Sequence, residues 1–129
     1  MHSPNVRGIA SLSLLLVVVV GCSSDDRPDA AIWLRSWNAI VSVVPEQADI
    51  GDPPDQSMCQ NTLAAIRERS DGLLPTPSAT VDGLAQEWVS IAETAFFECP
   101  PEGEGFETFD AVYDELRRVE ESVQTSLSN

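Results

Sequence analysis

Four runs of apolar residues, each repeating at spacings of three and four and each bounded by proline, glycine or aspartate, constrain this chain more than any other feature of its sequence. In the first, from about Pro28 to Val44, residues Ala30, Trp33, Trp37, Ile40 and Val44 share one stripe. Pro28 suits a first helical turn and Pro45 ends the pattern. The β-branched end, Val41-Ser42-Val43-Val44, is a place where this helix frays or extends. The loop from Pro45 to Gln56 follows. The second run begins at Ser57, with Gln60 three residues on as in a capping box, and puts Cys59, Leu63, Ile66 and Ser70 on one face before Gly72 stops it. Leu73-Leu74-Pro75-Thr76-Pro77 leads to the third, about Pro77 to Cys99. Its stripe is Val81, Leu84, Trp88, Ile91, Ala95 and Cys99, closed by Pro100-Pro101. After Glu102-Gly103-Glu104-Gly105 the fourth shows Phe106, Phe109, Val112, Leu116, Val119, Val123 and Leu127. Nothing reads as a hairpin strand.

Helices that each bury one stripe, joined by connections of a few to a dozen residues, pack best as neighbours running in alternate directions. The expected fold is all-α, a small up-down bundle of about four helices over residues 28–129, with room for a single core.

The residues before the bundle are of another kind. Arg7 precedes an apolar run from Ile9 to Val20, and Gly21-Cys22-Ser23-Ser24 follows, which is the pattern of a signal peptide. The tetrapeptide Val19-Val20-Gly21-Cys22 resembles the lipobox of bacterial lipoproteins, although Val19 is a less common start than leucine. The resemblance implies removal of residues 1–21, a diacylglycerol on Cys22 and a lipidated tether over residues 22–27. It also implies a mature chain held to the cell membrane on its extracytoplasmic face. The alternatives are an ordinary secretory signal and a retained spanning helix. A span needs about 20 apolar residues, and Ile9 to Val20 is shorter and contains Ser11 and Ser13. Two acyl chains suffice for stable anchoring at about 0.8 kcal/mol per buried methylene. The tether from Ser23 to Arg27 reaches at most about 18 Å, which would keep the bundle close to the headgroups.

With Cys22 given to the lipid, Cys59 and Cys99 remain in an oxidising compartment and are expected to pair, two free thiols being the alternative. Cys59 starts the second helix and Cys99 ends the third, and in an antiparallel hairpin those ends are neighbours. Fold and bridge thus support each other, and the loop so closed contributes about 4 kcal/mol on the chain-entropy model. The arms are unequal: about 14 residues separate Cys59 from the turn and about 23 separate the turn from Cys99, a mismatch of roughly 13 Å. An extended climb from Leu73 to Thr80, with the third helix starting near Thr80, would remove it.

Charge narrows the partners. The chain carries 21 acidic residues against seven arginines and no lysine, a formal net charge of -14. Every acidic residue lies beyond the signal, whereas Arg7 lies within it. Such a surface repels nucleic acid and anionic lipid. A partner recognised by charge would be a protein with a basic surface or a cation. The arginine-only basic set, with the alanine, valine, proline and aspartate usage of a high-GC genome, resembles small actinobacterial lipoproteins; that resemblance is of composition and implies no activity.

The lone histidine, His2, leaves with the signal. A mature domain without imidazole or lysine has no Ser-His-Asp or Cys-His nucleophile system, no Schiff-base lysine and no His-ligated zinc. Pairs such as Glu87 with Glu93, or Asp110 with Asp114, are carboxylate candidates for acid/base work, but they fall on the polar sides of their helices and read as solvated. Asp49, Asp52 and Asp55, and Glu98, Glu102, Glu104 and Glu107, offer oxygens without the order of a calcium-binding EF-hand loop; no metal or cofactor is expected. Trp33, Trp37 and Trp88 fall on core stripes and either fill the core or form a ligand or partner platform, with Trp33 or Trp37 near the headgroups. Arg67 and Arg69 beside Glu68, with the spacing-of-four pairs Asp114–Arg118 and Arg117–Glu121, read as surface charge. The functional expectation is a non-enzymatic, membrane-anchored interaction or accessory module. The alternative is a small-ligand or cation-binding lipoprotein using an inter-helix pocket or its acidic loops.

Overall fold

Each of the four helices starts where a side-chain oxygen can take the place of a missing backbone acceptor, and this fixes their bounds in a computed structural model that describes residues 26–102 and 106–129. Cys22, the rest of the lipobox region, and Glu104 lie outside the described residues. Helix α1 (Ala30–Val41) is capped by Asp29, which accepts the Ala31 N–H at 3.0 Å. It ends short of Val44, and the amides of Val43 and Val44 bond back to Ile40 and Val41 in tightened turns. After a single 3-10 turn (Gln47–Asp49), α2 (Gln56–Ser70) begins one residue before Ser57. Asp55, behind Pro53-Pro54, accepts the Ser57 N–H at 3.0 Å and is the cap in place of Ser57; a carboxylate there also complements the helix dipole.

Residues 71–78 are non-helical, and α3 (Ala79–Glu98) starts behind Ser78, which accepts the Val81 N–H. That start is one residue from the expected Thr80. Cys99 closes α3 in the left-handed region at φ 30°, directly before Pro100. Helix α4 (Phe109–Ser128) starts behind Thr108, three residues later than the apolar pattern suggests, because the hydroxyl of Thr108 accepts the Ala111 N–H; Phe106 packs on the core from outside the helix.

Consecutive helices pack side by side, with α3 central between α2 and α4 and α1 leaning on α2. The fold is an all-α bundle with one disulfide, and Cys59 and Cys99 are bridged with their Cα atoms 6.1 Å apart. Alternating direction shows at both ends. The start of α1 meets the α2–α3 connection through Trp33, whose indole N–H donates to the Leu73 carbonyl at 2.8 Å. The residues that follow α1 meet the start of α4, where the Tyr113 hydroxyl donates to the Pro45 carbonyl.

In the core, Trp33 stacks on Trp37 with centroids 5.4 Å apart, and Trp37 meets Trp88 edge-on at 5.6 Å. Phe96, Phe109 and Tyr113 form a second aromatic group toward the other end. The buried faces of α2 and α3 are rotated from their apolar stripes: Thr62 is buried and Leu63 half-buried, while Ala85 and Ala92 are buried and Leu84 and Ile91 half-buried. A helix packed on two sides needs small residues at its closest approaches, so Ala85 and Ala92 share the buried face with Trp88 while Leu84 and Ile91 shield its flanks. No helix of the described residues is long and apolar enough to cross a membrane.

Candidate functional site

The alternating topology gives the bundle two unlike ends. The proximal end, where the chain enters α1, also holds the α2–α3 connection and the close of α4. Arg27 is not a free tether residue there. Its guanidinium donates to the Thr76 carbonyl at 2.9 Å and pairs with Asp82 at 3.1 Å. Thr76, fully buried, donates its amide to Asp82 Oδ1 at 2.9 Å, and its hydroxyl stands 2.7 Å from the same oxygen. These bonds from Thr76, with Arg27 adding to them, hold the Asp82 carboxyl below its usual pKa. Arg35, Arg67 and Arg69 stand in the same half, so among the described residues the arginines outside α4 gather around the point of entry. Two large apolar side chains are exposed here, Ile32 at 59% and Leu74 at 43%.

The distal connections are acidic, and the arginine reaching them comes from α4, where Arg117 donates to the Gln47 side-chain oxygen at 3.1 Å. Glu46, Asp49, Asp52 and Asp55 come from the α1–α2 connection, and Glu98, Glu102, Glu107 and Asp110 from the α3–α4 connection, with no arginine in either stretch. The disulfide ties the two stretches together, and the Gln56 side chain donates to the Cys99 carbonyl at 2.8 Å. Phe97, 71% exposed, stands on this rim as its one large apolar contact. Asp49, Asp52 and Asp55 do not converge on a centre, and among the described residues no three acidic, histidine or cysteine side chains form a group able to hold a metal ion. Burial, with Glu46 and Asp49 adding to it, pushes the Tyr113 phenol up to about 12.

Between the ends, α1 and α4 leave an open groove of about 590 Å³. Trp37, Asn38 and Val41 line it from α1, and Arg117, Glu120, Glu121 and Gln124 from α4. Glu120 is half-buried and accepts the Trp88 indole N–H at 2.8 Å. Burial raises its carboxyl above the usual value, against the Trp88 bond and the charge of Arg117.

The three tryptophans are buried against one another, and Trp37, which borders the groove, is only 2% exposed, so no indole face is open for stacking. Neither carboxylate pair forms a shared centre. Glu87 pairs with Arg118 at 2.6 Å and Glu93 with Arg67 at 3.1 Å, while Asp110 accepts from Gln47 and Asp114 pairs with Arg117. The spacing-of-four pairs on α4 give way to spacing-of-three pairs, Arg117–Asp114 and Arg118–Glu115, with Arg118 also reaching Glu87 on α3 and Arg117 reaching Gln47. Glu120 escaped the sequence reading, since its signal is its place across from Trp88, a contact between helices. The chain matches no protein-family model, no curated protein and no solved structure at a significant level.

Proposed function

We propose that this protein is a lipid-anchored, non-enzymatic interaction module on the extracytoplasmic face of a bacterial membrane, holding its acidic distal end out to a partner with a basic surface. One observation carries the reading: the chain enters at the end where Arg27, Arg35, Arg67 and Arg69 gather, and the two acidic connections, whose own residues include no arginine, stand at the opposite end, with Arg117 of α4 reaching in to Gln47. Helix α3 alone spans about 30 Å between those ends. If Cys22 carries lipid, the clamped Arg27 leaves only Ser23 to Asp26 as slack, so the proximal end faces the headgroups. Anionic lipid and the distal carboxylates repel each other, which favours the same orientation.

At the distal end Phe97 supplies the kind of aromatic anchor that dominates interface energies, and the surrounding carboxylates supply long-range attraction for a basic surface. The test is site-specific photo-cross-linking in native membranes from position 97 and from position 32. Protein adducts from position 97 that disappear at high salt, with none from position 32, are the expected result. Protein adducts from position 32 alone overturn the reading. A second reading, a small-ligand-binding lipoprotein, is favoured by the Glu120 groove.

A further inference from the structure

We infer that the groove between α1 and α4 is a binding site for a small organic cation, a primary ammonium group on a compact apolar body, which seats its charge on Glu120. The inference is independent of the anchor and of the distal end.

A comparison among carboxylates carries it. Among the described residues Asp82, Glu93, Glu115 and Glu120 are half-buried. The first three each meet an arginine, at 3.1, 3.1 and 2.9 Å. Glu120 makes no ion pair among the described residues, and its hydrogen bond comes from a neutral indole. Arg117 lines the same groove, but its guanidinium is taken by Asp114 at 2.6 Å and by the Gln47 side-chain oxygen at 3.1 Å. A carboxylate that gives up water without gaining a cation is unfavourable, and burial accordingly raises its pKa. A perturbed group inside a cleft is a candidate binding residue, and here the groove and the missing ion pair stand beside the shift. If Glu120 served only to satisfy the buried Trp88 N–H, a glutamine would do as well.

The lining selects the ligand. Oε2 of Glu120 already faces Trp88, so the carboxylate does not offer the two open oxygens that a guanidinium fork prefers. An ammonium donates as a point charge with three N–H groups. Asn38 and Gln124, one from each wall, add neutral amide oxygens, and half-buried Val41, beside the buried Trp37, offers apolar surface for the body. Glu120 and Glu121 repel an anion. The groove volume lies within the range of small-molecule sites.

Benzylammonium is a suitable probe, titrated into the full chain while the Trp88 indole N–H resonance and the tryptophan fluorescence are followed. Saturable binding with Kd on the order of 1 mM is expected for a ligand of this size, with no saturable response to benzyl alcohol or benzoate. Glu120→Gln keeps an acceptor for Trp88 and should weaken binding about tenfold. Arg117→Gln removes the opposing charge and should strengthen it several-fold. Equal binding by wild type and Glu120→Gln, equal response to benzyl alcohol, or no saturation by wild type overturns the site. Should Glu120→Gln fail to fold, unchanged affinity in Arg117→Gln overturns it as well.

Discussion

The proximal and distal ends are held closed in different ways. At the proximal end the connection between α2 and α3 is short, and hydrogen bonds bind it. Trp33 donates to Leu73, Thr76 donates to Asp82, and Arg27 crosses over to both Thr76 and Asp82. At the distal end the connections are longer, rich in proline and crowded with carboxylates that repel one another, and the Cys59–Cys99 bridge joins them. Where the chain buries polar groups and pairs its charges, non-covalent contacts suffice. Where it collects like charge, a covalent staple offsets the repulsion.

That contrast can be broken from either side. Cys59→Ser, or reduction of the bridge, should have the largest effect, lowering stability by about 4 kcal/mol, and more at low salt, where the distal carboxylates are least screened. An unchanged melting temperature would mean that the distal end does not depend on its staple. Trp33→Phe should cost about 1–2 kcal/mol, because the Leu73 carbonyl loses its donor inside the core; chemical denaturation of the bridged protein would measure it.

Two carboxylates should then respond to pH in opposite directions. Asp82, with a folded pKa below its unfolded value, stabilises the fold above that unfolded value, and the contribution is lost as pH falls through the folded one. Asp82→Asn should therefore flatten the acid limb of a melting-temperature profile. Glu120, with a raised folded pKa, opposes folding when ionised, and that penalty disappears as pH falls through the folded pKa to below the unfolded one. Glu120→Gln should raise the melting temperature at neutral pH, and a lowered one would contradict its burial without a cation. The smallest effect belongs to Arg67→Gln, whose exposed pair with Glu93 is worth less than about 1 kcal/mol and should fade in salt.

Much of this architecture was legible in the sequence, because it follows from periodicity and stops. The α4 stripe from Phe109 to Val123 is buried as its spacing implies, and the bridge follows from two cysteines at neighbouring ends of a hairpin. The unequal arms of that hairpin even place the start of α3 to within a residue. What the sequence did not disclose depends on competition or on contacts between helices. Asp55 outcompetes Ser57 as a cap because it lies two residues earlier, directly behind two prolines, and Ala85 and Ala92 displace Leu84 and Ile91 from the buried face because α3 is gripped on two sides. The groove was invisible for the same reason. Glu120 looks like any residue on a polar helix face until Trp88 is seen to donate to it. Likewise Arg27, which reads as part of a tether, proves to be a clamp only through residues 49 and 55 positions away.

The division into an anchored and a displayed end stands or falls with the covalent state of two kinds of cysteine. The most direct test is intact mass spectrometry of the protein taken from its native membrane, before and after reduction. A chain beginning at a diacylated Cys22, gaining two hydrogens on reduction, is the expected result and would place the lipid beside the Arg27 clamp and the staple at the far end. An unlipidated chain beginning elsewhere, or a mass that reduction leaves unchanged, would contradict it.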